Sequence, residues 1–168
     1  MFNNFIKKYF NIPQNFFVSN NLYLIVATFF GAGYAKKAPG TVASALTLVL
    51  IMILNLFSSY LVIILTILFI IVGFFVCNKI VGNTNNDPSY IVIDEVAGMF
   101  IALLLAKNNI ILCLLGFIIF RILDIKKPSI IGYVQTNFNG ASGVMLDDIL
   151  AGFITMLILT GLSVIFNI

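Results

Sequence analysis

Residues 61–77 read LVIILTILFIIVGFFVC, seventeen positions without a charge or a proline. A helix of that length approaches the ~20 residues, about 30 Å, that cross the hydrocarbon core of a bilayer. This stretch decides the fold class, because lipid offers no water to unpaired backbone groups and so excludes open strands and lipid-exposed loops. Similar apolar blocks fall at about 22–34, 42–57, 91–106, 109–123 and 146–166. The expectation is an all-α, polytopic membrane bundle of about five to six apolar helices, forming a single membrane-embedded domain over residues 1–168.

Composition agrees with that expectation. Hydrophobic residues make up 61% of the chain and charged residues 9%, and the mean hydropathy is +1.14, far from the soluble range. The net charge of +3 is dispersed, and no basic run exceeds two residues. That excludes nucleic acid as a partner and leaves the bilayer and its anionic headgroups. Cys77 and Cys113 lie inside apolar blocks, without the spacing of a zinc site or a redox pair. Residues 1–20 are aromatic and Asn-rich and lack a compact apolar run ending in a cleavage site, so they read as an interfacial entry segment.

Two connections are very short, around Asn55 to Tyr60 and Lys107 to Asn109, which makes hairpins of the blocks they join. Three are longer and polar: Ala35 to Thr41, Asn78 to Tyr90 and Arg121 to Met145. If each block crosses once, all three emerge on one side. That side carries Lys36, Lys37, Lys79, Arg121, Lys126 and Lys127, against Lys7, Lys8 and Lys107 on the other. Six against three points to a cytoplasmic polar face. The block at 22–34 either spans or is re-entrant, and a re-entrant path would move Lys7 and Lys8 to the same side.

The acidic residues are Asp87, Asp94, Glu95, Asp124, Asp147 and Asp148, all within or beside the second and third polar connections. An acid near the apolar region costs several kcal/mol unless it is paired or metal-bound, which makes each a functional candidate. Two pairs open apolar blocks in parallel fashion, Asp94-Glu95-Val-Ala-Gly98 and Asp147-Asp148-Ile-Leu-Ala-Gly152. The small residues below each pair would let two helices approach, and acids at a helix start are favoured by the dipole. Brought together, the carboxylates would repel one another unless a cation sat between them. With no histidine and no usable cysteine the donors are all oxygens, which suits Mg2+. The alternative is that each pair only caps its helix.

Arg121 and Asp124 stand three apart in FRILD, followed by Lys126, Lys127 and the helix-ending Pro128. They read either as an ion pair with topology anchors or as a phosphate-binding set. In KKAPGTVAS, residues 36–44, Pro39-Gly40 turns the chain, Thr41 suits an N-cap and Ser44 follows one turn later. The functional alternative is a helix start that receives a phosphate, with Lys37 beside it. Asp87 reads as either a turn residue or a ligand, and Met145, Phe100 and Phe153 read as core. The absence of histidine excludes His-dependent phosphatases and Ser-His hydrolases, and there is no Asp-x-Asp or Walker motif. Metal-assisted phosphoryl chemistry remains.

Four motifs in order, KKAPGTVAS, DPSYIVIDEVAGM, FRILDIKKP and GVMLDDILAG, resemble the phosphatidylglycerophosphatase A family over about residues 31–155. The resemblance implies a magnesium-dependent enzyme of the bacterial inner membrane. Such an enzyme hydrolyses phosphatidylglycerophosphate to phosphatidylglycerol and phosphate in phospholipid biosynthesis, with its site facing the cytoplasm. By position, Asp94, Glu95, Arg121, Asp124, Lys127, Asp147 and Asp148 match the family's polar signature, and Thr41 and Ser44 match its PGT-x-x-S turn. The chain departs from the pattern at Ile130, Gln135 and Gly140-Ala141. On this reading Asp94, Glu95, Asp147 and Asp148 hold Mg2+, and Asp124 completes the site or acts as base or nucleophile. Arg121 and Lys127 bind the phosphate of a phospholipid substrate. The rival readings are a small cation transporter or channel subunit and a non-catalytic lipid-binding protein.

Overall fold

A computed structural model of the chain describes residues 9–13, 22–82 and 88–166. Among these residues there are seven α-helices and no β-strand: α1 (Leu22–Ala27), α2 (Pro39–Phe57), α3 (Ser59–Ile80), α4 (Ile93–Ala102), α5 (Ile110–Lys126), α6 (Ile130–Asn137) and α7 (Ala141–Phe166). Most of the expected interfacial segment over residues 1–20 lies outside the described residues. Its residues 9–11 pair with residues 34–36 through Asn11 N–H to Tyr34 O (2.8 Å) and Lys36 N–H to Tyr9 O (2.9 Å).

Three helices, α2, α3 and α7, are long and apolar enough to cross a membrane. They expose large apolar side chains, among them Val49, Ile64, Ile67, Ile71 and Leu157. A soluble monomer rarely shows such a surface, and in a bilayer it faces lipid. Their buried threonines cost little, because Thr47, Thr66 and Thr155 each donate to the carbonyl four residues back, at 2.7–2.8 Å. The expected all-helical membrane bundle is therefore what forms, with α5 and the short α4 completing five apolar helices.

The block at 22–34 does not cross as a helix. Six residues of α1 rise only about 9 Å. Thr28 then donates to Leu24 O at 2.7 Å and accepts from the Gly31 N–H at 3.1 Å, and the chain turns into a 3-10 segment, Ala32–Tyr34. Block 91–106 also differs from a continuous span. Regular helix ends at Ala102, and residues 103–108 continue as turns, with Leu103 and Ala106 buried. Asn55, near the far end of α2, donates to Lys107 O at 3.0 Å, so the irregular stretch still reaches the end of α2 remote from Pro39, with Leu103 and Ala106 turned inward and Leu105 exposed.

Both hairpins form as expected. Ser58 alone joins α2 to α3, accepting at its Oγ from Tyr60 N–H, and Asn109 caps α5 by accepting from Leu112 N–H at 3.1 Å. The connection at 121–145 is more structured than the sequence suggested, since α5 runs on to Lys126 and α6 occupies residues 130–137.

Helix α4 sits at the centre and packs most extensively against α7. The contact turns on two glycines. A Cβ at Gly98 would lie 2.6 Å from Asp148 O, and one at Gly152 would run into the Gly98 carbonyl. Replacing Gly152 with Ala should therefore lower the thermal unfolding midpoint in detergent, at a cost of ~1–3 kcal/mol from overpacking. Gly161→Ala, on the same helix with open space around it, should be neutral or slightly stabilising.

Candidate metal and phosphate site

Four helix segments bring polar side chains to one end of the bundle. Asp94 and Glu95 occupy the first turn of α4, Ser44 lies one turn into α2, Arg121 and Asp124 end α5, and Asp147 and Asp148 lie in α7. Asp94, Asp124, Asp147 and Asp148 are all buried. One carboxylate oxygen from each of Asp94, Glu95 and Asp148 lies within 4.8 Å of the others. Glu95 Oε2 and Asp148 Oδ2 are buried without a hydrogen-bond partner. Such a set of convergent oxygens fits a hard divalent cation.

Charge counting points the same way. Five carboxylates converge, and the ion pairs among the described residues supply two cations, Arg121 to Asp124 and Lys127 to Asp147. Asp148 feels Asp124, Asp94 and Asp147 together. An excess of buried negative charge is expensive unless a cation joins it.

Asp147, expected as a fourth ligand, stands outside the three-carboxylate group. Its Oδ2 accepts from the Lys127 ammonium, and its Oδ1 accepts from the Asp148 N–H at 3.0 Å. With both of its oxygens engaged in this way, Asp147 is turned toward Lys127, while Asp148 faces Asp94 and Glu95. The dipole argument for this pair also gives way. Asp147 and Asp148 sit nearly two turns inside α7, which begins at Ala141, so they do not cap it.

Arg121 Nη1 donates to Asp124 and, at 3.4 Å, to Ser44 Oγ, which itself donates to Gly40 O at 2.8 Å. Arg121 Nε is buried without a partner. Thr41 is not the N-cap expected of it. Helix α2 starts at Pro39, with Ala38 as a left-handed N-cap, which puts Thr41 inside the first turn. Lys37 is exposed and makes no ion pair among the described residues. Asp87 lies outside the described residues.

Gly40 is a site residue that the sequence reading used only as a turn. A Cβ there would strike Glu95 Oε1 and lie 3.3 Å from Arg121 Nη1. The missing side chain is what admits the carboxylate and the guanidinium against the start of α2. Positive φ angles at Ala38 (46°), Lys127 (42°) and Ser129 (41°) flank the same region. A non-glycine residue there costs on the order of 1–3 kcal/mol, and such strain clusters at functional sites. Met145 and Phe100 are core as expected, but Phe153 is 47% exposed and lines a groove.

Lys127 follows the end of α5. Burial alone would lower the pKa of its ammonium, but the hydrogen bond to Asp147 and the fields of Asp147, Asp148 and Asp124 outweigh burial and raise it. The pair's contribution is then fully present below the ordinary lysine value of ~10.4 and is lost only as pH rises through the higher folded value. Lys127→Met should destabilise the protein by the lower end of ~3–5 kcal/mol, since the lysine keeps some exposure while Asp147 does not. Asp147→Asn in the same chain should recover part of that loss, with a coupling of ~0.5–3 kcal/mol in a thermal double-mutant cycle.

Comparison with known proteins accords with this geometry. The family model described as phosphatidylglycerophosphatase A matches residues 25–163. The chain is 33% identical over 138 residues to phosphatidylglycerophosphatase A of Escherichia coli, covering 81% of this chain and 80% of that protein. It is 32% identical over 137 residues to the Haemophilus influenzae protein of the same name, covering 80% and 84% respectively. A Bacteroides thetaiotaomicron protein, provisionally named a phosphatidylinositol-3-phosphatase, is 32% identical over 146 residues, covering 82% of this chain and 91% of its own. No solved structure matches the chain. With buried carboxylates converging at one end of an apolar bundle and a match across most of its length, this membrane protein belongs to the phosphatidylglycerophosphatase A family.

Proposed function

We propose that the protein is a magnesium-dependent lipid phosphatase that hydrolyses phosphatidylglycerophosphate to phosphatidylglycerol and phosphate at the cytoplasmic face of a bacterial inner membrane, within phospholipid biosynthesis. The observation that carries this reading is the group of Asp94, Glu95 and Asp148 oxygens within 4.8 Å, beside Arg121, in a chain of this family. The donor set is all oxygen, and two of its atoms are buried without partners, so Mg2+ fits it. Bound there, a divalent cation would neutralise phosphate oxygens and lower the pKa of a water molecule.

The chain's own residues do the rest. Arg121 and Lys127 receive the phosphate monoester, Arg121 through a planar fork held by Asp124 and Ser44. Lys37 and Thr41, at the start of α2, add charge and a hydroxyl to the approach. Asp124 is the base or nucleophile. The ester P–O bond breaks, water supplies hydroxide to phosphorus, and its proton ends on the released alcohol. The acids stand at one end of the bundle, which favours an interfacial enzyme over a cation pathway through the bilayer.

One relative's name favours a second reading, in which the headgroup is a phosphoinositide. Phosphate release by the purified protein in detergent should therefore be measured on phosphatidylglycerophosphate and on phosphatidylinositol 3-phosphate side by side. Activity should need Mg2+ and disappear with a chelator. Asp94→Asn and Asp148→Asn should each lower kcat about 100-fold or more, equivalent to ~2.7 kcal/mol of barrier. Full activity in both variants would sink the metal-site assignment, and a wild type inactive with every divalent cation would sink the enzyme reading. A preference for the inositol lipid would transfer the assignment to the second headgroup.

A further inference from the structure

Beside the acids, on the flank of α7, lies a cavity of about 330 Å³, within the size range of ligand pockets. Val134 of α6 and Phe138, which follows that helix, form one wall, Leu146, Leu150 and Phe153 of α7 the other, and Ile101 of α4 lies between them. The lining is almost wholly apolar. It is an open groove on the flank of a helix long and apolar enough to cross the bilayer, where lipid chains rather than water face apolar surface.

Its position relative to the carboxylates gives it a direction. Leu146, Ile149, Leu150 and Phe153 recur at i, i+3, i+4 and i+7, one stripe of α7, while Asp148 and Gly152 belong to the stripe facing α4. Leu150 lies about 3 Å along the helix axis from Asp148, and Phe153 about 7.5 Å. The cavity therefore runs from the level of the acids along α7. Next to its Leu146 end Lys127, three residues before α6, holds Asp147. A cation stands where an anionic headgroup would sit if its tail followed the groove.

We propose that this cavity is the acyl-chain subsite for the phosphate-monoester glycerolipid on which the enzyme acts, a proposal that rests on the lipid phosphatase reading above. The subsite acts through orientation. Bilayer tails are as apolar as leucine, so moving a chain from lipid into the groove gains little hydrophobic free energy. Fixing the first part of one chain against α7 aligns the headgroup with the carboxylates and Arg121, and alignment is a large factor in rate. The groove thus selects diacyl lipid over a soluble phosphate ester without binding the tail tightly.

The test compares long-chain phosphatidylglycerophosphate with its deacylated, water-soluble headgroup as substrates of the full-length protein. Leu150→Trp, which fills the cavity, should lower the ratio of long-chain to headgroup kcat/KM by about tenfold or more. Ile64→Trp, at a lipid-exposed position of α3, should leave the ratio unchanged. An unchanged ratio in Leu150→Trp overturns the subsite, whereas a wild type inactive on both substrates overturns the enzyme reading instead. Photolabelling decides the subsite in either case. A phosphate-monoester lipid with a diazirine in its acyl chain, at low mole fraction in phosphatidylcholine vesicles with wild-type protein, should mark peptides of α6 and α7. Unlabelled monoester lipid should compete, and additional phosphatidylcholine should not. Labelling spread evenly over all lipid-exposed helices, or lost to phosphatidylcholine, overturns the proposal in favour of bulk lipid as the occupant.

Discussion

The approach of α4 to α7 at Gly98 and Gly152 is the contact on which the rest of the molecule depends. Without side chains at these two positions the backbones meet carbonyl to glycine, and Asp148 is carried to the start of α4. In a bilayer such packing takes the place of the hydrophobic drive that assembles soluble cores, because lipid competes equally for apolar surface. Small residues give two helices the shape complementarity that lipid chains cannot match. The same contact gathers like charges, so the bundle is assembled against electrostatic repulsion.

That tension organises the polar end. Two carboxylates are matched directly, Asp124 by Arg121 and Asp147 by Lys127, while Asp94, Glu95 and Asp148 are left facing one another. The two ion pairs flank the three-carboxylate group, whose converging oxygens suit a metal ion. Gly40 extends the arrangement to α2 by admitting both Glu95 and Arg121 against the helix start. Positive φ at Ala38, Lys127 and Ser129 marks where the backbone departs from its preferred geometry around the same centre.

Helix α7 divides its surface between the two tasks of a lipid-directed enzyme. One stripe carries Asp148 and Gly152 toward α4, and the neighbouring stripe carries Leu146, Leu150 and Phe153 along an apolar groove walled by α6. Charge and apolar groove are thus separated by rotation about one helix axis, the groove starting at the level of the acids and running about 7.5 Å beyond Asp148.

Much of this was legible in the order of the residues. The apolar blocks required helices, because backbone groups in lipid have no other partner, and the confinement of the acids to two connections located the polar end. The four motifs carried the family resemblance. The sequence could not show that block 22–34 turns back, that block 91–106 unwinds after Ala102, or that residues 130–137 form a helix, since these outcomes depend on cover and partners supplied by distant segments. Nor could it separate Asp147 from Asp148, or reveal that Gly40 and the α6–α7 groove belong beside them. Adjacent acids are equivalent along a string, and only the rotation of α7 in its packed position turned one toward Glu95 and the other toward Lys127.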